Sequence, residues 1–441
     1  MTAKNNKRPN ILLIVMDATR AHNLSCYGYG RATTPNLERF AERSVVYEKA
    51  IATSCWSLPT HASMFTGLYP SAHGANDQHH YLDADIPIIT QLLQSQGYQT
   101  VALCRKHDVG PETGMDRGFE AFNKTRYPAP LAKALRKADN GLARAFGYRD
   151  GGARHTNREI RALLPKLQAD ERPFFLFVSN LEAHLPYRPP KAYNTFLPDL
   201  SPEKIAGVNL DNWKYMAGQA EMDEEDFAIL TALYDGALAY SDYRIGEILT
   251  WFEQAGLLDE TLVIITGDHG ENLGDHRLMG HGYCLYDSVL RVPLIIQYPF
   301  NMAPPDRVTY QTQHVDLLPT ILAALGDETS EIYRSAQGQN LLNMAGRTFA
   351  IAEQAHPYLD VFQQKFPEAD VSKLNRALRM IRTDEFKYIW SSDGQHELFD
   401  LQSDPQESQN LINIQSDVAA EMAQQLAQWL QSSDKINHQR K

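Results

Sequence analysis

Three short apolar runs, each ending in chemically active residues, constrain this chain more than any other feature. Ile11-Leu12-Leu13-Ile14-Val15-Met16 runs into Asp17. Phe174-Phe175-Leu176-Phe177-Val178 is followed within a few residues by Glu182 and His184, and Leu262-Val263-Ile264-Ile265-Thr266 by Asp268 and His269. Unbroken apolar runs of this length read as strands buried on both faces. Helical patterns separate them, as over 230–255. Strands alternating with helices predict an α/β fold: a large, doubly wound, mainly parallel sheet flanked by helices. Ligands bind such sheets beyond the carboxyl ends of the strands. All three runs deliver their polar residues at that edge.

The 441 residues suffice for one large domain and a smaller unit. We expect a catalytic α/β domain over 1–340 and a C-terminal α+β subdomain over 341–441. The latter is marked by strand-like stretches at 348–352 and 386–390 and a closing helix over 416–430. Two inserts are expected. That at 123–170 has a basic helical pattern over 126–149 and reads as an excursion from the core sheet with a solvated face. That at 200–226 is polar and acidic.

Charge and cysteine usage narrow the partners. Lys plus Arg total 42 against 54 Asp plus Glu, a net charge of -12. This argues against a broad nucleic-acid footprint and leaves room for a local basic pocket. Cys26, Cys55, Cys104 and Cys284 form no close pair, which fits free thiols in a reducing compartment. The run at 11–16 is too short for a signal sequence or a membrane span. The expectation is a cytoplasmic protein with no membrane span and a small anionic substrate. Nothing in the sequence sets the oligomeric state.

The segment Ser57-Leu58-Pro59-Thr60-His61-Ala62-Ser63-Met64-Phe65-Thr66-Gly67 has the layout of a helix start. Proline is tolerated in a first turn, and the free N–H groups and dipole there favour an anion or alkoxide. Ser57 is therefore either a plain N-cap or a nucleophile. Asp17, and Asp268 beside His269, suit a divalent cation. His184, and His281 within Gly280-His281-Gly282, add imidazoles at loop positions.

Together these segments resemble the sulfatase family of the alkaline phosphatase superfamily. The likeness runs nearly end to end. It takes in Pro9-Asn10-Ile11 through Asp17, the Ser57–Gly67 motif and Asp268-His269-Gly270-Glu271. It continues through Leu290-Arg291-Val292-Pro293, His314-Val315-Asp316-Leu317-Leu318-Pro319-Thr320, Arg382-Thr383-Asp384 and Glu397-Leu398-Phe399-Asp400. The resemblance implies that Ser57 is the nucleophile, which this family normally oxidises to formylglycine from cysteine or serine. It implies that Asp17, Asp268 and His269, with Ser57, hold one divalent metal. His61 would sit beside the nucleophile, His184 would contact the ester, His281 would serve the leaving group and Lys106 would be a site lysine.

Three departures matter. Ala18 replaces a second acid, and His269 stands where asparagine is commoner. These shift the expected metal from calcium toward manganese, so that manganese or calcium is expected first, with zinc or iron also suited. His61 replaces the arginine that ends the family's maturation signal, so the state of Ser57, serine or formylglycine, stays open. Hydrolysis of sulfate esters is the leading expectation. Hydrolysis of phosphodiesters or phosphonate monoesters, or phospho-group transfer, by an unmodified serine is the alternative. A noncatalytic anion-binding descendant is the third.

Overall fold

The computed structural model describes residues 8–123, 151–343, 346–357 and 359–439. Its main sheet has nine strands. Five lie side by side in parallel: β6 (Thr261–Gly267), β1 (Asn10–Met16), β5 (Phe174–Asn180), β3 (Gln99–Leu103) and β4 (Ala121–Phe122). On the other flank β10 (Leu294–Gln297) runs antiparallel between β6 and β2 (Val45–Ile51), followed by β11 (Asp306–Gln313) parallel to β2. The short β9 (Arg291–Val292) pairs with β2, while β7 (Asn272–Leu273) and β8 (Met279–Gly280) pair antiparallel outside this sheet. The sheet is thus mixed but mainly parallel, as the apolar runs predict.

Alternate residues of β1 feed two cores, because successive side chains leave a strand on opposite faces. Ile11, Leu13 and Val15 pack with Leu58, Ala62 and Phe65 of the helix Ser57–Thr66. Leu12, Ile14 and Met16 pack on the other face with Tyr234 and Leu238 of the long helix Glu224–Gln254. The excursion expected over 126–149 is not reached by this packing. Residues 124–150 lie outside the described residues. The helix Ala153–Ala169, at the end of the insert at 123–170, buries Ile160, Leu164 and Leu167 in the second core. The insert at 200–226 forms the short helices Pro202–Gly207 and Asn212–Met216 near the surface.

A second sheet, β12 (Ala350–Gln354), β13 (Leu378–Arg382), β14 (Phe386–Ser391) and β15 (Glu397–Asp400), is antiparallel throughout. The helix Ser416–Gln439 packs Ala419, Met422 and Leu426 against Ile381, Tyr388 and Leu398. The opposite face of this sheet joins the first core through Ala350, Met380, Ile389 and Phe399. The four cysteines are free and buried. Among the described residues no helix is long and apolar enough to cross a membrane.

Candidate active site

Strand register brings the two aspartates together. Met16 pairs with Gly267 across β1 and β6, so Asp17 and Asp268 leave the sheet side by side. On the other side of β1, β5 ends at Asn180 and leads to His184. Beyond it, β3 ends at Leu103 and leads to Lys106. β2 leads through 52–56 to the helix that starts at Ser57. The separate segments of the sequence therefore meet at one sheet edge, where the fold class places ligands.

Ser57 is the first helical residue; Trp56 occupies the N-cap position. The Ser57 hydroxyl does not cap the helix. It lies 3.1 Å from His269 Nε2. The opposite nitrogen, His269 Nδ1, is 2.8 Å from the Gly270 carbonyl. A carbonyl only accepts, so Nδ1 carries the proton and Nε2 presents a lone pair toward Ser57. Burial holds His269 well below its usual pKa, in the neutral form a metal ligand needs.

Asp17, Asp268 and His269 offer ligand atoms within 4.8 Å of one another. Asp268 Oδ1 accepts the backbone N–H of Ala18 at 3.1 Å and of His269 at 2.9 Å. Asp17 Oδ2 and Asp268 Oδ2 are buried without hydrogen-bond partners. Two orphaned carboxylate oxygens in a closed site are costly unless a cation meets them. The donor set therefore fits a divalent metal, with His269 Nε2 adding a nitrogen ligand.

Lys106 enters the same cluster. Its ammonium is 2.5 Å from Asp17 Oδ1 and 3.7 Å from Asp268 Oδ2. Burial opposes ionisation of both aspartates, yet the Lys106 charge together with the neighbouring imidazoles and hydrogen bonds outweighs it and holds them below their usual range. Burial likewise opposes the charge on Lys106, and the two carboxylates reverse the effect and raise its pKa.

His61 lies one helical turn after Ser57, beside it. Its Nδ1 lies 2.8 Å from the carbonyl of Ser57 and donates to it. Burial lowers its pKa. It is thus a neutral imidazole bracing the peptide of Ser57, one helical turn on. Its Nε2 is buried without a partner.

His184 and His281 come together at the mouth, their rings 5.2 Å apart, and His281 lies 4.1 Å from the ring of His269. His184 Nδ1 is 2.9 Å from the Leu185 carbonyl. Burial lowers the pKa of His184. His281 differs. Burial would lower it too, but Glu271 Oε1 at 2.9 Å raises it. The mouth opens into a cleft of about 1110 Å³ lined by His184, Arg188, Asn209, Trp213 and His281 among others. Much of this lining comes from the insert at 200–226.

Sequence reasoning missed two members of the cluster. Glu271 lies in the Asp268-His269-Gly270-Glu271 run but carries no role there. Tyr187, three residues after His184, donates its hydroxyl to Glu271 Oε2 at 2.9 Å. Neither contact has a signal in local sequence.

The family described as Sulfatase matches residues 9–327, and that described as N-sulphoglucosamine sulphohydrolase, C-terminal, matches residues 274–435. Over 438 residues the chain is 27% identical to an uncharacterized sulfatase, YidJ, of Escherichia coli (strain K12), covering 92% of this chain and 84% of that protein. A choline-sulfatase of Rhizobium meliloti (strain 1021) is 27% identical over 441 residues, covering 92% of this chain and 82% of that one. Among solved structures, the phosphonate monoester hydrolase of Agrobacterium radiobacter shares the fold with a TM-score of 0.76 at 22% identity, over 97% of this chain and 96% of that chain.

Proposed function

The chain belongs to the sulfatase family of the alkaline phosphatase superfamily, hydrolases of sulfuric ester bonds, and on that premise we propose that it hydrolyses the sulfate ester of a small anionic substrate with Ser57 as nucleophile. One observation carries the reading: the Ser57 hydroxyl, the His269 Nε2 lone pair and the orphaned oxygens of Asp17 and Asp268 gather in one closed site.

Asp17, Asp268 and His269 would hold the cation, with Ser57 beside it. Bound there, a divalent metal supplies Lewis-acid charge that favours the Ser57 alkoxide and offsets charge on the ester's nonbridging oxygens. The chain's own groups do the rest. The helix N-terminus adds its dipole behind Ser57. Lys106 offers a fixed positive charge to the developing oxyanion. His61 holds the Ser57 peptide in place. His184 contacts the ester group, and His281 serves the leaving-group side. If Ser57 is formylglycine, the hydrated aldehyde releases sulfate by elimination.

A specific observation favours a second reading. His61 stands in the place of the maturation arginine and is engaged with the Ser57 carbonyl. An unmodified serine would release a covalent sulfate slowly, whereas it suits phosphodiesters and phosphonate monoesters. The four free, buried cysteines support a cytoplasmic setting for either chemistry.

Three measurements on protein from its native host test the proposal. Peptide mass spectrometry shows whether Ser57 has lost two hydrogens. Parallel assays with an aryl sulfate, a phosphate diester and a phosphonate monoester, before and after chelation, give the reaction class. We expect chelation to abolish turnover and the sulfate to be the best substrate. Preference for a phosphorus ester by an unmodified Ser57 would establish the second reading. Ser57→Ala should lower kcat by roughly three orders of magnitude or more, as loss of a nucleophile does. Turnover unchanged in Ser57→Ala would remove this site from the chemistry, and absence of turnover in the wild type would leave an anion-binding protein.

A further inference from the structure

Glu271 is fully buried behind the cleft, and both of its carboxylate oxygens are engaged by side chains that line it, those of His281 and Tyr187. Oε1 is 2.9 Å from His281 Nδ1, and Oε2 accepts the hydroxyl of Tyr187 at 2.9 Å. Three backbone contacts hold the residue itself. Its N–H donates to the Ser288 carbonyl at 3.0 Å, the preceding Gly270 N–H donates to the Val289 carbonyl at 2.6 Å, and the Glu271 carbonyl accepts Arg20 Nη1 at 3.2 Å. A side chain at Gly270 would collide with the Ser288 carbonyl, its Cβ coming within 2.2 Å, so only glycine permits this turn. Arg20 is anchored in turn by both oxygens of Asp275, at 2.7 and 3.0 Å. A buried carboxylate with this much scaffolding is built to stay in one place.

We infer that Glu271 is a positioning residue for the leaving-group step: it takes the Nδ1 proton of His281 as a hydrogen bond and so fixes Nε2, on the opposite edge of the ring, toward the cleft, while Tyr187 fixes Glu271. A carboxylate that orients an imidazole decides which ring nitrogen is free to act. His184 places its Nδ1 against the Leu185 backbone carbonyl at 2.9 Å. The reaction step balances simply. As the nucleophile's oxygen bonds to the sulfur or phosphorus, the ester's bond to the leaving oxygen breaks, its electron pair goes to that oxygen, and a His281 ring carrying both protons gives it the Nε2 proton. The leaving group departs as a neutral alcohol, and the imidazole keeps the Nδ1 proton bonded to Glu271. This role rests on the ester-hydrolase reading above and is independent of whether sulfur or phosphorus is attacked.

The test is leaving-group dependence, which a merely structural residue would not alter. Wild type, Glu271→Gln and Tyr187→Phe, each metal-loaded, are assayed on phenyl and nitrophenyl esters, in a sulfate series and a methylphosphonate series. Nitrophenolate leaves without a proton, whereas phenolate leaves far better with one. Glu271→Gln should lose about 100-fold in kcat on the phenyl ester, the range of a lost acid catalyst, and markedly less on the nitrophenyl ester. Tyr187→Phe should shift the ratio in the same direction by a smaller factor. Thermal unfolding of each variant separates loss of fold from loss of step, and Tyr187→Phe, which removes one hydroxyl, keeps the test open if Glu271→Gln fails to fold. Equal losses on both leaving groups in a folded variant would overturn the positioning role alone. A wild type inactive on both series would overturn the hydrolase reading, and the role with it.

Discussion

At the level of single residues, the balance between Lys106 and the two aspartates sets what the site offers to a cation and to an ester. Two buried carboxylates face one ammonium, and His61 and His269 are held neutral by burial. The pocket therefore retains negative charge for a metal, and Lys106 limits how much. Lys106 also competes directly, because it occupies Asp17 Oδ1. Replacing it should separate two effects that usually travel together. Lys106→Met is expected to bind a divalent metal at least as tightly as the wild type, by calorimetric titration of the metal-stripped protein. Its kcat/KM should nevertheless fall about 100-fold, the scale of losing one preorganised oxyanion contact. A variant that loses metal affinity would show that Lys106 instead organises the ligand shell.

At the level of elements, the helix Ser57–Thr66 is buried along its whole length, and its first turn rests on His73. His73 Nε2 donates to the Pro59 carbonyl at 3.1 Å and lies 3.3 Å from Ser63 Oγ, while Nδ1 accepts the Ala75 N–H at 3.1 Å. Only the neutral ring can do both. Burial pushes its pKa down to about 3. A histidine depressed in the folded state binds fewer protons than in the unfolded chain. Its contribution to stability is complete above about pH 6.5 and drains as pH falls toward 3, by about 1.4 kcal/mol per unit. Urea unfolding at pH 7 and pH 5 should show the wild type losing about 2 kcal/mol more than His73→Gln, since the other titrating groups are shared. Equal losses would mean that His73 is not titrating with folding. This helix and the β1, β5 and β6 strands were legible because an apolar period is a local property, and Asp17, Asp268 and His269 were legible because each directly follows such a strand. What was not legible depends on pairing. The antiparallel insertion of β10 between β2 and β6 has no mark in its own four residues. The helix Ala153–Ala169 shows apolar residues at 160, 164 and 167, yet the basic stretch before it masked that stripe. Glu271 finds its partner Tyr187 across 84 positions, a contact that only the folded sheet edge creates.

At the level of the whole molecule, the C-terminal sheet is tied to the catalytic edge by a buried ion cluster. Lys387 on β14 is fully buried and lies 2.5 Å from Asp287 Oδ1 and 2.5 Å from Glu407 Oε1. Arg382 on β13 reaches Asp287 Oδ2 at 2.9 Å, and the Asp287 N–H donates to Glu407 Oε2 at 2.6 Å. Asp287 opens the short helix Asp287–Leu290, and that helix supplies the Ser288 and Val289 carbonyls that hold Gly270 and Glu271. The chain of contacts therefore runs from the small sheet to the loop bearing His269 and Glu271. Lys387→Met keeps the stem's packing but strips the cation, leaving Asp287 to Arg382 alone and Glu407 with no cation beside it. Breaking a buried pair in this way costs about 3–5 kcal/mol. The double change Lys387→Met with Glu407→Gln removes the stranded charge as well, so it should recover at least about 1 kcal/mol of that loss. Denaturant midpoints of the four proteins in this cycle decide the matter. A double variant as unstable as the sum of its singles would show that Lys387 and Glu407 act independently.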